Sequence, residues 1–261
     1  FMGFVEVVLN LRTIMRNLSF CKKDIVAYQP DVLILVDYPG FNLRIAEFAH
    51  KQNFKVFYYI SPQVWAWKKS RVYKIRKFVD RMFVILPFEK EFYAQYEYPV
   101  SFVGHPLLDV IPERSAIKPA PDDKPLIALL PGSRKQEISK MLPVMLSVVP
   151  QFPGYHFQVA CAPSIDMEFY EKFSEGSTVE LVRDKTHDIL KRSCAALVTS
   201  GTATLETALF GVPEVVCYKG NRISYEIARR IVDVKYISLV NLIMDREVVQ
   251  GLQKQPVVTA L

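Results

Sequence analysis

Along this chain, short runs of continuous apolar residues alternate with longer stretches in which apolar positions recur every three or four residues. In the first half the runs are 32–36 (VLILV), 55–60 (KVFYYI) and 82–86 (MFVIL). Runs of this kind, rich in β-branched and aromatic residues, predict strands buried on both faces, as in a parallel sheet. Helical periodicity falls between them, around 41–52, 69–79 and 88–96. The second half restarts the scheme with a strand at 126–130, a helix from about 136 to 149, and strands near 156–161, 179–182, 195–199 and 213–217. Strand–helix alternation predicts α/β lobes, each a doubly wound, Rossmann-like sheet. From 111 to 124 the chain turns polar and Pro-rich (Pro112, Pro119, Pro121), a linker signal. The expected organisation is a first lobe at 1–112, a linker at 113–124 and a second lobe at 125–261. The second lobe reads as complete. The first opens on an amphipathic helix (Val5, Val8, Leu9, Leu11, Ile14, Met15, Leu18) with no strand before it, and so reads as incomplete. There is no internal repeat and no low-complexity segment.

Composition narrows the class. Half of the 261 residues are hydrophobic and 23% are charged, as in a folded globular protein. No apolar stretch approaches the roughly 18 residues of a membrane-spanning helix. The start, Phe1-Met2-Gly3-Phe4-Val5-Glu6, lacks the basic opening and the small-residue cleavage site of a signal peptide, so a cytosolic protein is expected. Cys21, Cys161, Cys194 and Cys217 form no CxxC pair, which predicts reduced thiols and no metal. A net charge of +6 suits an anionic partner without saying which one.

Five segments carry candidate chemistry. Strand 195–199 runs into Ser200-Gly201-Thr202, a turn at a carboxyl end, where ligands of open α/β sheets bind. Its backbone N–H groups and helix dipole attract phosphate; an ordinary helix cap by Ser200 or Thr202 is the alternative. Glu206, one turn on, could accept hydrogen bonds from a ribose or simply complement the helix start. Strand 126–130 leads into Pro131-Gly132-Ser133-Arg134, which offers a hydroxyl and a planar guanidinium to phosphate oxygens. Two such turns in one lobe point to a nucleoside diphosphate. Asp37, closing strand 32–36 in DYPGFN, is placed for general-base work or for starting a turn before Pro-Gly. Behind Ser61-Pro62-Gln63-Val64-Trp65-Ala66-Trp67 come Lys68, Lys69, Arg71, Lys74, Arg76, Lys77 and Arg81, seven cations in fourteen residues. Val72, Ile75 and Val79 give that helix one packing face, leaving a cationic one for an anionic membrane, a phosphorylated substrate or plain solvent. His105, in VGHPLLD, could meet a ligand or close a turn. His50, His156 and His187 have no triad partners and read as structural.

Taken jointly, these segments resemble lipid-A-disaccharide synthase, a bacterial glycosyltransferase family of two-lobed GT-B architecture with a cleft between the lobes. The matching stretches are DYPGFN at 37–42, SPQVWAWK at 61–68, LPFEKEFY at 86–93, VGHPLLD at 103–109, LLPGSRKQEI at 129–138, TSGTATLE at 199–206 and YISLVNLI at 236–243. The resemblance implies metal-free, inverting transfer of 2,3-diacylglucosamine from UDP to the 6-hydroxyl of 2,3-diacylglucosamine 1-phosphate, giving a β-1,6 disaccharide. UDP-sugar is then a substrate, and no cofactor is implied. By the same resemblance Asp37 is the base, and Ser133, Arg134, Ser200, Gly201, Thr202 and Glu206 hold UDP. Asn241 falls where the family has a cleft Asn and is expected, by the same resemblance, to join the UDP-binding set. The basic segment (Lys68, Lys69, Arg71, Lys74, Lys77) would face the anionic inner leaflet, giving a cytoplasmic enzyme peripherally attached to the inner membrane, with no nucleic acid partner. The family's opening βα unit, with its glycine-rich loop, and its C-terminal helical segment, linked to a homodimer, find no counterpart in the sequence. Two readings stand against this one. Another UDP-N-acetylglucosamine enzyme, transferase or epimerase, would share PGSR and SGTATLE but not SPQVWAW. A non-catalytic membrane- or nucleic-acid-binding module would rest on the 68–81 helix alone.

Overall fold

The structure is a computed structural model that describes residues 11–66, 69–111, 124–218, 236 and 238–252. The expected linker at 113–124, apart from Lys124, therefore lies outside the described residues, as do Val5, Val8 and Leu9 of the expected opening helix, Trp67 and the cationic Lys68. The chain divides into two compact units between His105 and Pro106.

The first unit runs α1 (Leu11–Tyr28), β1 (Val32–Val36), α2 (Pro39–Lys51), β2 (Lys55–Tyr59), α3 (Arg71–Phe78), β3 (Arg81–Val84), α4 (Glu89–Ala94) and β4 (Ser101–Phe102). Its sheet is parallel, in the spatial order β1-β2-β3-β4. Right-handed connections between strands that follow one another in both sequence and space put every crossover helix on the same face. Side-chain alternation shows the result. Leu33, Leu35, Val56, Tyr58, Met82 and Val84 pack with Leu18 and Ile25 of α1, Ile45 of α2 and Ile75 of α3. The intervening residues point the other way, and Ile34 is 61% and Val36 51% exposed. The expectation that β1–β3 are buried on both faces is thus corrected: among the described residues only one face is covered. Continuous apolarity records what a strand can bury, not how many layers surround it.

Beyond β2 the backbone turns sharply, with Ile60 at φ 61°, costly for a β-branched residue. The Ile60 N–H donates to the Phe83 carbonyl at 3.1 Å. Behind this turn the 61–65 and 86–93 segments lock together. Trp65 meets Phe88 edge-on at 5.0 Å, Ser61 Oγ bonds Tyr93 Oη at 2.7 Å, and the buried Glu89 carboxylate accepts the Leu86 N–H at 2.9 Å. Burial raises the Glu89 carboxyl above its ordinary range, against the pull of those hydrogen bonds.

The second unit runs α5 (Leu107–Val110), β5 (Leu126–Leu130), α6 (Lys135–Leu146), β6 (His156–Cys161), α7 (Met167–Ser174), β7 (Glu180–Arg183), α8 (Thr186–Arg192), β8 (Ser193–Thr199), α9 (Thr202–Leu209), β9 (Glu214–Cys217), α10 (Leu239–Met244) and β10 (Gln250–Leu252). The sheet is parallel in the order β10-β9-β8-β5-β6-β7. Every residue of the central β5 is buried. Ile127 and Leu129 pack with Ile138 and Leu142 of α6 and Tyr170 of α7. Leu126, Ala128 and Leu130 pack the opposite way, with Ile189 and Leu190 of α8 and Phe210 just after α9. The chain steps outward from β5 through β6 to β7, then returns to β5's other side as β8 and continues to β9. That reversal between β5 and β8 is where a doubly wound sheet opens a ligand crevice at its carboxyl ends.

Candidate functional site

A cleft of about 390 Å³ lies at those carboxyl ends, lined by both glycine turns that the sequence singles out. Ser133, Arg134, Ser200, Gly201, Thr202 and Glu206 are all brought together in its walls.

The first wall follows β5. Gly132 sits at φ 109°, and a Cβ there would come within 2.7 Å of Glu137 Oε2. Glu137 itself is the residue that reading the sequence missed. One of its carboxylate oxygens accepts the Ser133 N–H at 3.3 Å, and the other accepts Arg134 Nη1 at 2.6 Å. Arg134 is the N-cap of α6 and provides no side-chain cap, so Glu137 is the third helical residue, reaching back over the helix start. The only signal in the sequence is a Glu in the first helical turn, where a negative charge favours the helix start.

The second wall follows β8. Ser200 N–H donates to the Cys217 carbonyl at 3.1 Å, tying the turn to β9. Gly201 then adopts φ 155°, ψ −160°, a region essentially reserved for glycine. Its missing Cβ would meet nothing within 4 Å, so conformation rather than crowding demands glycine here. No side chain caps α9, and the Thr204 hydroxyl turns back to donate to the Gly201 carbonyl at 2.8 Å. The helix-cap role considered for Ser200 and Thr202 is therefore not realised, and the N–H groups of the first turn face the cleft end of the helix. Beside them the Thr199 hydroxyl is buried without a hydrogen-bond partner. Glu206 lines the same cleft. Burial raises its carboxyl above the ordinary range, opposed by the nearby His187, whose ring lies 5.2 Å from that of Phe210.

Asn241 is not among the residues lining this cleft. It is 5% exposed, and its amide is consumed by backbone. Nδ2 donates to the Val249 carbonyl at 2.8 Å, while Oδ1 accepts the N–H groups of Val248 and Val249 at 2.8 and 2.9 Å. These three bonds clamp the approach to β10.

Asp37 belongs to the first unit. It and Tyr38 both have positive φ, 44° and 46°, an unusual pair that needs support. Asp37 N–H donates to the Tyr59 carbonyl at 3.0 Å, and Asn42 Nδ2 donates to the carbonyls of Val36 and Asp37 at 2.9 and 2.8 Å. Tyr58 Oη donates to the Asp37 carbonyl. Burial, and secondarily the Asp37 charge, pushes the Tyr58 phenol up, so it remains a donor. The main chain is pinned on every side while the Asp37 residue stays exposed. A strained backbone held this firmly is more than a turn before Pro-Gly requires.

The basic helix α3 buries Val72, Ile75 and Phe78. Tyr73, Lys74, Arg76 and Lys77 are exposed, as is Lys69 just ahead of the helix. Arg76 is turned toward the protein, donating to the Tyr96 carbonyl at 3.1 Å. Among the described residues no group of His, Cys, Asp or Glu could hold a metal ion, and no helix is long and apolar enough to cross a membrane.

Residues 1–257 match the lipid-A-disaccharide synthetase family. The lipid-A-disaccharide synthase of Syntrophus aciditrophicus is 43% identical over 266 residues, covering 95% of this chain and 70% of that protein. Among solved structures, the S. aureus MnaA–UDP co-structure superposes with a TM-score of 0.59 at 13% identity, covering 89% of this chain and 69% of that one. The glycotransferase of kitacinnamycin gives a TM-score of 0.59 at 12% identity, with 97% and 71% covered. Those two likenesses bear on the α/β fold alone. With sequence identity of this depth over nearly its whole length, the chain belongs to the lipid-A-disaccharide synthetase family of glycosyltransferases.

Proposed function

We propose that the cleft of the second unit holds the UDP of a UDP-2,3-diacylglucosamine donor, and that Asp37 deprotonates the 6-hydroxyl of 2,3-diacylglucosamine 1-phosphate. The observation that carries the proposal is the convergence of the PGSR and SGT turns on one cleft at the β5–β8 reversal. Arg134 and the N–H groups opening α9 sit where charge grows on the leaving diphosphate, and fixed donors of this kind lower the barrier because they need no reorganisation. Glu206, held partly out of water, is placed for the ribose hydroxyls. The acceptor oxygen attacks the anomeric carbon as its proton passes to the Asp37 carboxylate. The bond from that carbon to the diphosphate breaks with its electron pair leaving on UDP, and the configuration inverts. The outward face of α3, with Lys69, Lys74 and Lys77, would rest on anionic lipid carrying both acylated sugars.

UDP should therefore protect the protein from thermal unfolding. A ligand at a hundredfold excess over Kd stabilises by ~2.7 kcal/mol. No shift in Tm at millimolar UDP would contradict the nucleotide site and favour a membrane-binding role led by α3.

A further inference from the structure

We infer that Glu137 is a positioning residue of the phosphate site: its carboxylate holds Ser133 N–H and Arg134 in place of a phosphate, and the incoming diphosphate takes those donors over by displacing it. The inference rests on the nucleotide reading of the cleft and deepens it.

Three observations carry it. First, both carboxylate oxygens are engaged by the very groups the phosphate needs, Ser133 N–H at 3.3 Å and Arg134 Nη1 at 2.6 Å. Second, the room above Gly132 belongs to this side chain, since a Cβ there would lie 2.7 Å from Glu137 Oε2 and 2.9 Å from Glu137 Cβ. The glycine admits the carboxylate into the turn. Third, the two walls of the cleft differ. The α6 wall presents its donors to an internal anion, whereas the α9 wall has no side-chain cap and a buried Thr199 hydroxyl without a partner.

Charge decides the direction of the exchange. A diphosphate cannot share Arg134 with an ionised carboxylate without like-charge repulsion. The Arg134–Glu137 pair has side chains 53% and 33% exposed, and exposed pairs of this sort contribute at most about 1 kcal/mol. A phosphate oxygen pair accepts from the planar guanidinium in bidentate fashion, which is stronger. Glu137 can move aside by a rotamer change, leaving α6 unaltered. The carboxylate thus keeps the guanidinium aimed and the turn ordered without ligand, at a modest cost in affinity when ligand arrives.

The test is calorimetric titration of the whole chain at low ionic strength with UDP, pyrophosphate and uridine, in wild type, Glu137→Gln and Glu137→Ala. Removing the competing charge should tighten UDP and pyrophosphate by about fivefold, the factor that corresponds to an exposed ion pair. Uridine, which has no phosphate, should bind as it does to wild type. Unchanged or weaker UDP binding in either variant overturns the role of Glu137. Uridine tightening in step with UDP also overturns it, because a generally reshaped cleft would move both. Wild-type protein that binds none of the three probes overturns the nucleotide reading itself, and with it this inference.

Discussion

The two sheets of this protein are built from similar sequence and finished differently. Both are parallel, and their strands read alike, VLILV in β1 and LIALL in β5. Yet β5 is buried throughout, while β1 leaves Ile34 and Val36 largely in contact with solvent. The cause is topological. The second sheet reverses direction at β5, sending α6 and α7 to one face and α8 and α9 to the other. The first sheet advances in one direction and gathers its described helices on one face. The same reversal that completes the second core also opens its cleft, so stability and ligand binding come from one feature. In the first unit they are separate: the helices make the core, and the base role proposed for Asp37 would rest on a pinned loop outside it.

The largest effect is expected at Asp37. Asp37→Asn in the family's full-length enzyme should lower kcat by ~10²–10⁴ while leaving UDP affinity near that of wild type. Steady-state transfer assays paired with UDP titration read both quantities. An active Asn variant removes Asp37 from the base role; a variant that loses UDP binding removes the division of labour between the units.

Core substitutions probe the difference in layering. Leu129→Ala empties a fully enclosed site in β5 and should cost ~2–5 kcal/mol in denaturant unfolding. Ile34→Ala, on the uncovered face of β1, should stay within ~0.5 kcal/mol. Equal costs would mean that the open face of the first sheet is covered in solution.

Glu214 sharpens the comparison through pH. It opens β9 at 8% exposure, with both carboxylate oxygens lacking a hydrogen-bond partner. The Thr207 hydroxyl beside it is committed to the Ala203 carbonyl at 2.8 Å. Burial pushes the Glu214 carboxyl up to about 8 from an ordinary 4.5. The folded state therefore keeps a proton that the unfolded state releases between those values, and stability must fall as pH rises from about 4.5 to about 8. The decline attributable to this group is on the order of 5 kcal/mol at most. Glu214→Gln should flatten that part of the profile and raise Tm above pH 8. A variant whose Tm follows the wild-type pH curve would show that Glu214 is already solvated.

The smallest effect concerns the outward face of the first unit. Reversing Lys74 and Lys77 to Glu should weaken binding to anionic vesicles by ~1 kcal/mol per charge at low ionic strength, with little change in fold stability. Co-sedimentation that is unaffected at low salt would return α3 to an ordinary solvated helix.

Much of this was legible in advance, and the successes share a cause. Strand positions were readable to within a few residues at β1, β5 and β6 because a short apolar run is written in neighbouring residues. Both glycine turns were readable because a backbone conformation open mainly to glycine, as at Gly132 and Gly201, leaves its mark at a single position. The bonds of Asn241 were not readable for the opposite reason: an amide at a motif position carries no sign of which backbone groups it will meet. Glu137 was overlooked because a Glu in a first helical turn has a sufficient local explanation, and only the fold shows its carboxylate in the neighbouring turn.

By itself, then, the sequence determined the alternation of elements, the restart of a second α/β unit, the two glycine turns and the family. These depend on local periodicity, on positions that only glycine tolerates, and on motifs kept in order along the chain. The tertiary structure alone decided that β8 returns beside β5, that the two turns thereby face one cleft, that the described residues cover only one face of the first sheet, and that Glu137 and Asn241 spend their polar groups on the protein's own backbone and Arg134. Those are outcomes of which strand lies next to which, and spatial neighbours far apart in the chain leave no local periodicity from which to read them.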